Sequence, residues 1–271
     1  MICFLIKKTF FDLWDNLFRM VLVNSGFVVS ILIPLFLPGL FVSTPFLGTG
    51  ILLVGILWCS FYLSAAALSL KGISDYNSFG FADFFLNLKK SWPAGLVFGV
   101  IVFVIYMLCF VAIPFYLNIK SIVGIFLAAF VFWIVVTAIL ALQFFFPVYS
   151  RMEQKLLKVV KKCFVIFFDN PMFCIFSLLH NLFLLTICLF PVFIFFSGPA
   201  GMLLFLDEGL RLRLLKYDWL QAAEVTTDEN AAGADISKKH KRKIPWDTIL
   251  IEEREKTGSR SLKNLIFPWK D

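Results

Sequence analysis

At 271 residues, 60% hydrophobic and 18% aromatic with 35 Phe, the chain exceeds the roughly 45–50% apolar content of soluble domains. Its apolar residues also come in long uncharged blocks rather than in alternation, which excludes an ordinary water-soluble core. The formal charge of +7 argues for anionic lipid headgroups rather than nucleic acid as counter-ions. Excess positive charge lies before residue 207 and is near balance after it.

Every Lys and Arg except Lys120 falls within residues 1–19, 71–91, 150–171 or 207–271. Cationic segments are retained on the cytoplasmic side because moving them across a bilayer is unfavourable. The four stretches therefore alternate with out-and-back crossings, and both termini are expected inside.

In chain order, Lys7, Lys8, Asp12, Asp15 and Arg19 interrupt the first apolar run, which reads against a secretory signal. Residues 8–19 predict an amphipathic interfacial helix. Lys8, Asp12, Asp15, Asn16 and Arg19 share one face, opposite Phe10, Phe11, Trp14, Leu17 and Phe18. Spans are predicted at 20–42 and 46–70. A second interfacial helix is expected at 81–92, where Asp83, Asn87 and Lys90 oppose Phe81, Phe84, Phe85, Leu88 and Trp92. Spans follow at 92–118 and 121–149. A third interfacial helix, 151–168, sets Arg151, Lys155, Lys158 and Lys162 against Val160, Phe164, Phe167 and Phe168.

The block 172–206 holds Pro191 and Gly198-Pro199 and carries no charge. One helix of that length would overshoot a bilayer that needs about 20 residues. Two helices of about 17 residues each would just cross it with local thinning, and a re-entrant hairpin satisfies the charges equally well. The expected fold is all-α: a polytopic membrane protein of about six transmembrane helices as three hairpins, with amphipathic interfacial helices. Pro34, Pro114 and Pro191, each near the outer end of a hairpin's first span, suggest a parallel three-fold repeat. Proline also marks helix ends in any such protein.

Residues 217–271 read as a flexible cytoplasmic tail beyond a membrane domain of 1–216. The segment 221–237 has a linker's composition. Lys238, Lys239, Lys241, Arg242 and Lys243 form a cationic cluster suited to lipid headgroups. Asp247 is placed to cap a short helix through 255 or 256, with Gly258 beyond it. Ile266, Phe267 and Trp269 form an apolar docking peptide, for a protein groove or for the membrane interface.

Chemistry-bearing residues are scarce. His180 is the one ionisable group expected inside a span, where such groups mark ion or proton paths. Beside it stand the polar intramembrane residues Asn24, Gln143 and Asn181, which commonly hydrogen-bond between helices. Gly95 and Gly99 permit close helix approach. The six cysteines form no Cys-x-x-Cys pair, and with two histidines no metal or other cofactor is expected. No catalytic motif appears, so no catalytic residue is assigned and the chain reads as a non-enzyme. An envelope-lipid enzyme would need Asp83, Glu153 and Asp169 to converge.

The order of elements carries a resemblance. The amphipathic start leads into Leu35-Phe36-Leu37-Pro38-Gly39, Thr44-Pro45-Phe46-Leu47-Gly48 and a small-residue helix at Ala65-Ala66-Ala67. Phe79 to Trp92 and Phe146-Pro147-Val148-Tyr149-Ser150-Arg151 follow. Over residues 5–215 this resembles the YesL-type family of bacterial membrane proteins, which have a domain of unknown function. The resemblance implies an inner-membrane protein without assigned activity, often encoded near carbohydrate-uptake systems. The expected function is a non-enzymatic accessory or scaffold of a transport or envelope system, with the bilayer and a membrane partner of the tail as its contacts. A small-solute transporter with its site between hairpins is the alternative.

Overall fold

The computed structural model describes residues 1–41, 43–228 and 244–258. Its described residues are helical and carry no strand. They run as α1 (Ile2–Asp15), α2 (Leu17–Phe36), α3 (Pro45–Ser74), α4 (Phe81–Met107), α5 (Ile113–Asn118), α6 (Ile122–Leu142) and α7 (Phe145–Arg151). Then come α8 (Leu156–Asp169), α9 (Pro171–Ile187), α10 (Pro191–Ser197), α11 (Pro199–Asp228), α12 (Trp246–Ile249) and α13 (Ile251–Thr257).

Five stretches are long and apolar enough to cross a bilayer: Leu17–Phe41, Pro45–Ser74, Phe81–Asn118, Ile122–Arg151 and Pro191–Ala222. A sixth is reached by counting the pair Leu156–Asp169 and Pro171–Ile187, bent by 104°. The chain is an all-α polytopic membrane protein. Its surface is rich in exposed apolar side chains such as Phe110, Phe126 and Trp133, as expected where hydrocarbon rather than water is the solvent.

The chain divides into two compact units, residues 12–207 and residues 1–11 with 208–271. In the first, α3 packs along α4 over most of its length, because small residues let the backbones approach. A methyl group at Gly95 would stand 2.6 Å from Phe61 Cα, and one at Gly99 3.1 Å from Leu57 Cα. The glycine pair is thus a packing surface. Polar pairs pin the register: Ser64 and Ser91 hydroxyls lie 2.9 Å apart, and Asn87 Nδ2 donates to Ser69 Oγ at 3.0 Å. Towards α2, the Tyr62 hydroxyl donates to the Val23 carbonyl at 2.8 Å. Leu13, Met20, Val23, Ala66, Leu70, Ile73, Ala200 and Leu204 form a core cluster.

Several expectations are corrected. Residues 81–92 are no separate interfacial helix but the first turns of α4, continuous through Pro93. Asn87 faces α3 instead of water. The predicted helix 8–19 is broken at Asn16 between α1 and α2, and its faces do not sort as expected: Lys8 and Asp12 of the polar side and Phe11 of the apolar side are buried, while Asp15, Trp14 and Phe18 are exposed. The third interfacial helix, α8, is amphipathic and Lys155 and Lys158 are exposed, but the buried side is Val159, Cys163 and Ile166 rather than the predicted Val160, Phe164, Phe167 and Phe168, of which Phe168 is 71% exposed. Proline positions are not equivalent. Pro34 lies inside α2, Pro114 follows a widened π turn at Leu108–Ala112, and Pro191 opens α10. There the Ile113 N–H reaches back to the Leu108 carbonyl, widening the helix just before Pro114, which has no N–H to donate.

In the second unit, α11 continues to Asp228, through residues whose composition suggested a linker. The short helix near Asp247 forms as α12 and α13. Asp247 binds Arg254 at 2.9 Å instead of capping the helix. Gly258, at φ 74°, ends α13 in a conformation that glycine adopts without strain.

Candidate functional site

The sequence leaves Arg151 on a solvent-facing stripe, yet the structure buries it. Ser150-Arg151 closes α7 at the end of a span and projects the guanidinium into a polar pocket of the 12–207 unit. Arg151 Nε and Nη2 bind both oxygens of Asp207 at 2.8 and 2.5 Å. Nη1 binds Asp75 at 2.9 Å, and Nη2 also reaches Ser74 Oγ at 2.9 Å. Lys71 donates to the Ser150 carbonyl at 2.8 Å. Arg151 and Asp207 side chains are 9% and 4% exposed. Fork-to-fork geometry of this kind suits a planar guanidinium and a carboxylate. It ties α3, α7 and α11 together where water is scarce, and both charges are compensated.

The second unit has its own buried ion pair. Lys8 lies 3.3 Å from Glu208, which also accepts the Thr9 hydroxyl. Arg211 binds Glu253 of α13 at 2.7 Å.

The predicted intramembrane residues divide into two places. Asn24, fully buried, donates to the Phe195 carbonyl at 3.0 Å and accepts the Ala200 N–H at 2.9 Å. It thereby satisfies groups freed where Gly198 breaks the chain between α10 and α11, the need that a broken helix creates in lipid. His180 and Asn181 instead lie on α9, to which Gln143 reaches from the end of α6. Gln143 Nε2 donates to the Leu140 and Cys174 carbonyls, both at 2.9 Å. The His180 ring stacks on Phe205 with centroids 3.7 Å apart. Gln143 Oε1, Ser177 Oγ, His180 Nδ1 and Asn181 Oδ1 are buried without a hydrogen-bond partner, and such atoms call for a reason. Ser177 adds to the polar set that the sequence suggested; its spacing of three from His180 on one helix face was the available signal.

Asp83, Glu153 and Asp169 each have a local role. Asp83 accepts the Gly80 N–H at 2.8 Å, Glu153 the Lys155 N–H at 3.2 Å, and Asp169 the Asn170 amide at 2.6 Å. No protein-family model, curated protein or solved structure matches the chain. The functional reading therefore rests on geometry. All six cysteines are free. Among the described residues no group of three or more His, Cys, Asp or Glu is placed to hold a metal ion. The basic cluster 238–243 and the docking residues Ile266, Phe267 and Trp269 lie outside the described residues.

Between α2, α3 and the start of α4 runs a groove of about 520 Å³. It is walled by aromatic side chains, with Arg19 as its one charged residue. Composition pointed to none of this, because its residues come from three separate stretches.

Proposed function

We propose that the protein is an accessory scaffold of a bacterial inner membrane, with both termini cytoplasmic, acting beside a transport or envelope assembly and catalysing no reaction itself. One observation carries this reading. The segment 246–257 is held as folded structure in its unit: Leu250 is fully buried, Glu253 is 4% exposed and pairs with Arg211, and Thr257 is buried. In sequence, the docking residues Ile266, Phe267 and Trp269 come shortly after this folded segment. Fixing a docking peptide raises its effective concentration near a membrane partner.

A photocrosslinking residue in place of Trp269 tests it in living cells. A stoichiometric adduct to one membrane-assembly component, lost on deleting 259–271 and weakened by Glu253→Ala, is expected. Recovery of lipid alone would reject the scaffold role.

The unpaired atoms of Gln143, Ser177 and His180 favour a second reading, a small-solute transporter whose polar site abuts α9. Modification of Ser177→Cys by a water-soluble thiosulfonate would support it, and an inert Ser177→Cys would count against it.

A further inference from the structure

We propose that the aromatic groove beside Arg19 is a binding site for one anionic phospholipid of the surrounding bilayer, its phosphate on the guanidinium and an acyl chain along the groove. This site lies wholly within the 12–207 unit and does not depend on the scaffold reading.

The groove is concave and apolar. Trp58, Phe61, Tyr62, Phe79, Phe84 and Phe85 are among its walls, and its size falls within the roughly 300–1,000 Å³ of ligand clefts. Its shape is held by contacts of its own: the Tyr62 hydroxyl is fixed on Val23, and the Tyr62 and Phe84 rings sit 5.3 Å apart.

The polar end distinguishes the groove from ordinary lipid-facing surface. Lys8, Arg151, Arg211 and Arg254 each meet a carboxylate. Arg19, among the described residues, meets none. Its Nε donates to the Phe79 carbonyl at 2.9 Å and its Nη1 to Asn16 Oδ1 at 2.7 Å. Two neutral acceptors therefore orient the guanidinium without neutralising it. A partly buried, oriented and uncompensated cation at the mouth of an apolar cleft calls for an anion carrying a long apolar chain. Phosphate is the matched partner because its oxygens accept paired guanidinium N–H bonds. Lys89, one helical turn beyond Phe85 and exposed, adds positive charge on the same side of α4. Arg19 also stands in the first turns of α2, near a helix end, where a cationic side chain reaches headgroup depth.

The test uses the full chain in vesicles of phosphatidylcholine containing either brominated phosphatidylglycerol or brominated phosphatidylcholine. Trp58 emission is isolated by difference from Trp58→Phe. Trp58 lines the groove, so bromine on a seated chain quenches it directly. Quenching by the anionic lipid is expected at roughly tenfold lower mole fraction than by the zwitterionic one, a preference worth about 1.4 kcal/mol. Arg19→Gln should remove that preference. Arg19→Lys, which keeps the charge, should keep most of it. Equal quenching of the wild type by both lipids would overturn the proposal. So would an unchanged preference in Arg19→Gln, or a stronger response to brominated free fatty acid than to phosphatidylglycerol. If Arg19→Gln fails to fold, Phe85→Ser serves instead: it should weaken quenching by the anionic lipid, and unchanged quenching would likewise overturn the site.

Discussion

At the level of single residues, the membrane body keeps its polar groups by pairing them. Asn24 shows the commonest use, one side chain satisfying a carbonyl and an amide that Gly198 leaves open. A polar residue in an apolar run was legible as interhelical glue; which backbone groups it serves was not, since they lie more than 170 residues away. Arg151 was misassigned for a related reason. A helical projection continued from 151 to 168 places it with Lys155 and Lys158, whereas the chain turns between α7 and α8 and aims it inward. Arg151→Gln should cost about 3–5 kcal/mol, since Asp207 is left buried and unpaired. Denaturant titration in detergent checks this. Arg151→Gln combined with Asp207→Asn should lose clearly less than the sum of the single losses, and simple additivity would remove the pair from the account.

At the level of elements, helix existence was readable and helix continuity was not. Uncharged blocks announced the spans because a bilayer accepts little else. Continuity turned on local events instead. Pro93 interrupts nothing in α4, while Pro191 and Pro199 each begin a helix, where a missing N–H is harmless. Composition mistook the end of α11 for a linker because helix propensity there is not offset by hydrophobic periodicity.

The contact of α3 with α4 depends on glycine. Gly95→Leu should force the two helices apart and cost about 1–3 kcal/mol as an overpacked site, read as a lowered melting midpoint in detergent. Just before α8, Glu153 sits below its ordinary carboxyl value of 4.5, first through the Lys155 N–H and then through nearby Lys158, Lys162 and Lys155. A carboxylate with a lowered folded value stabilises above its unfolded value, and that stabilisation fades as pH falls through the folded one. Hydrogen exchange at the start of α8 should therefore rise in acid more steeply in wild type than in Glu153→Gln. Identical acid profiles would remove Glu153 from that role.

At the level of the whole molecule, charge distribution and apolar blocks together establish a membrane protein, and the account adds a direction. All but one of the cationic residues belong to stretches that the positive-inside rule holds on one side. Under the orientation proposed above, the groove at Arg19, the pair of Arg151 and Asp207 and the cationic face of α8 occupy the same leaflet, the one with anionic headgroups. Labelling with a membrane-impermeant maleimide tests this most directly, in a background lacking the native cysteines. Phe46→Cys, at a side chain 96% exposed, should react in intact cells. Lys158→Cys, on the exposed face of α8, should react only after permeabilisation. Labelling of Lys158→Cys in intact cells, with Phe46→Cys protected, would contradict the account.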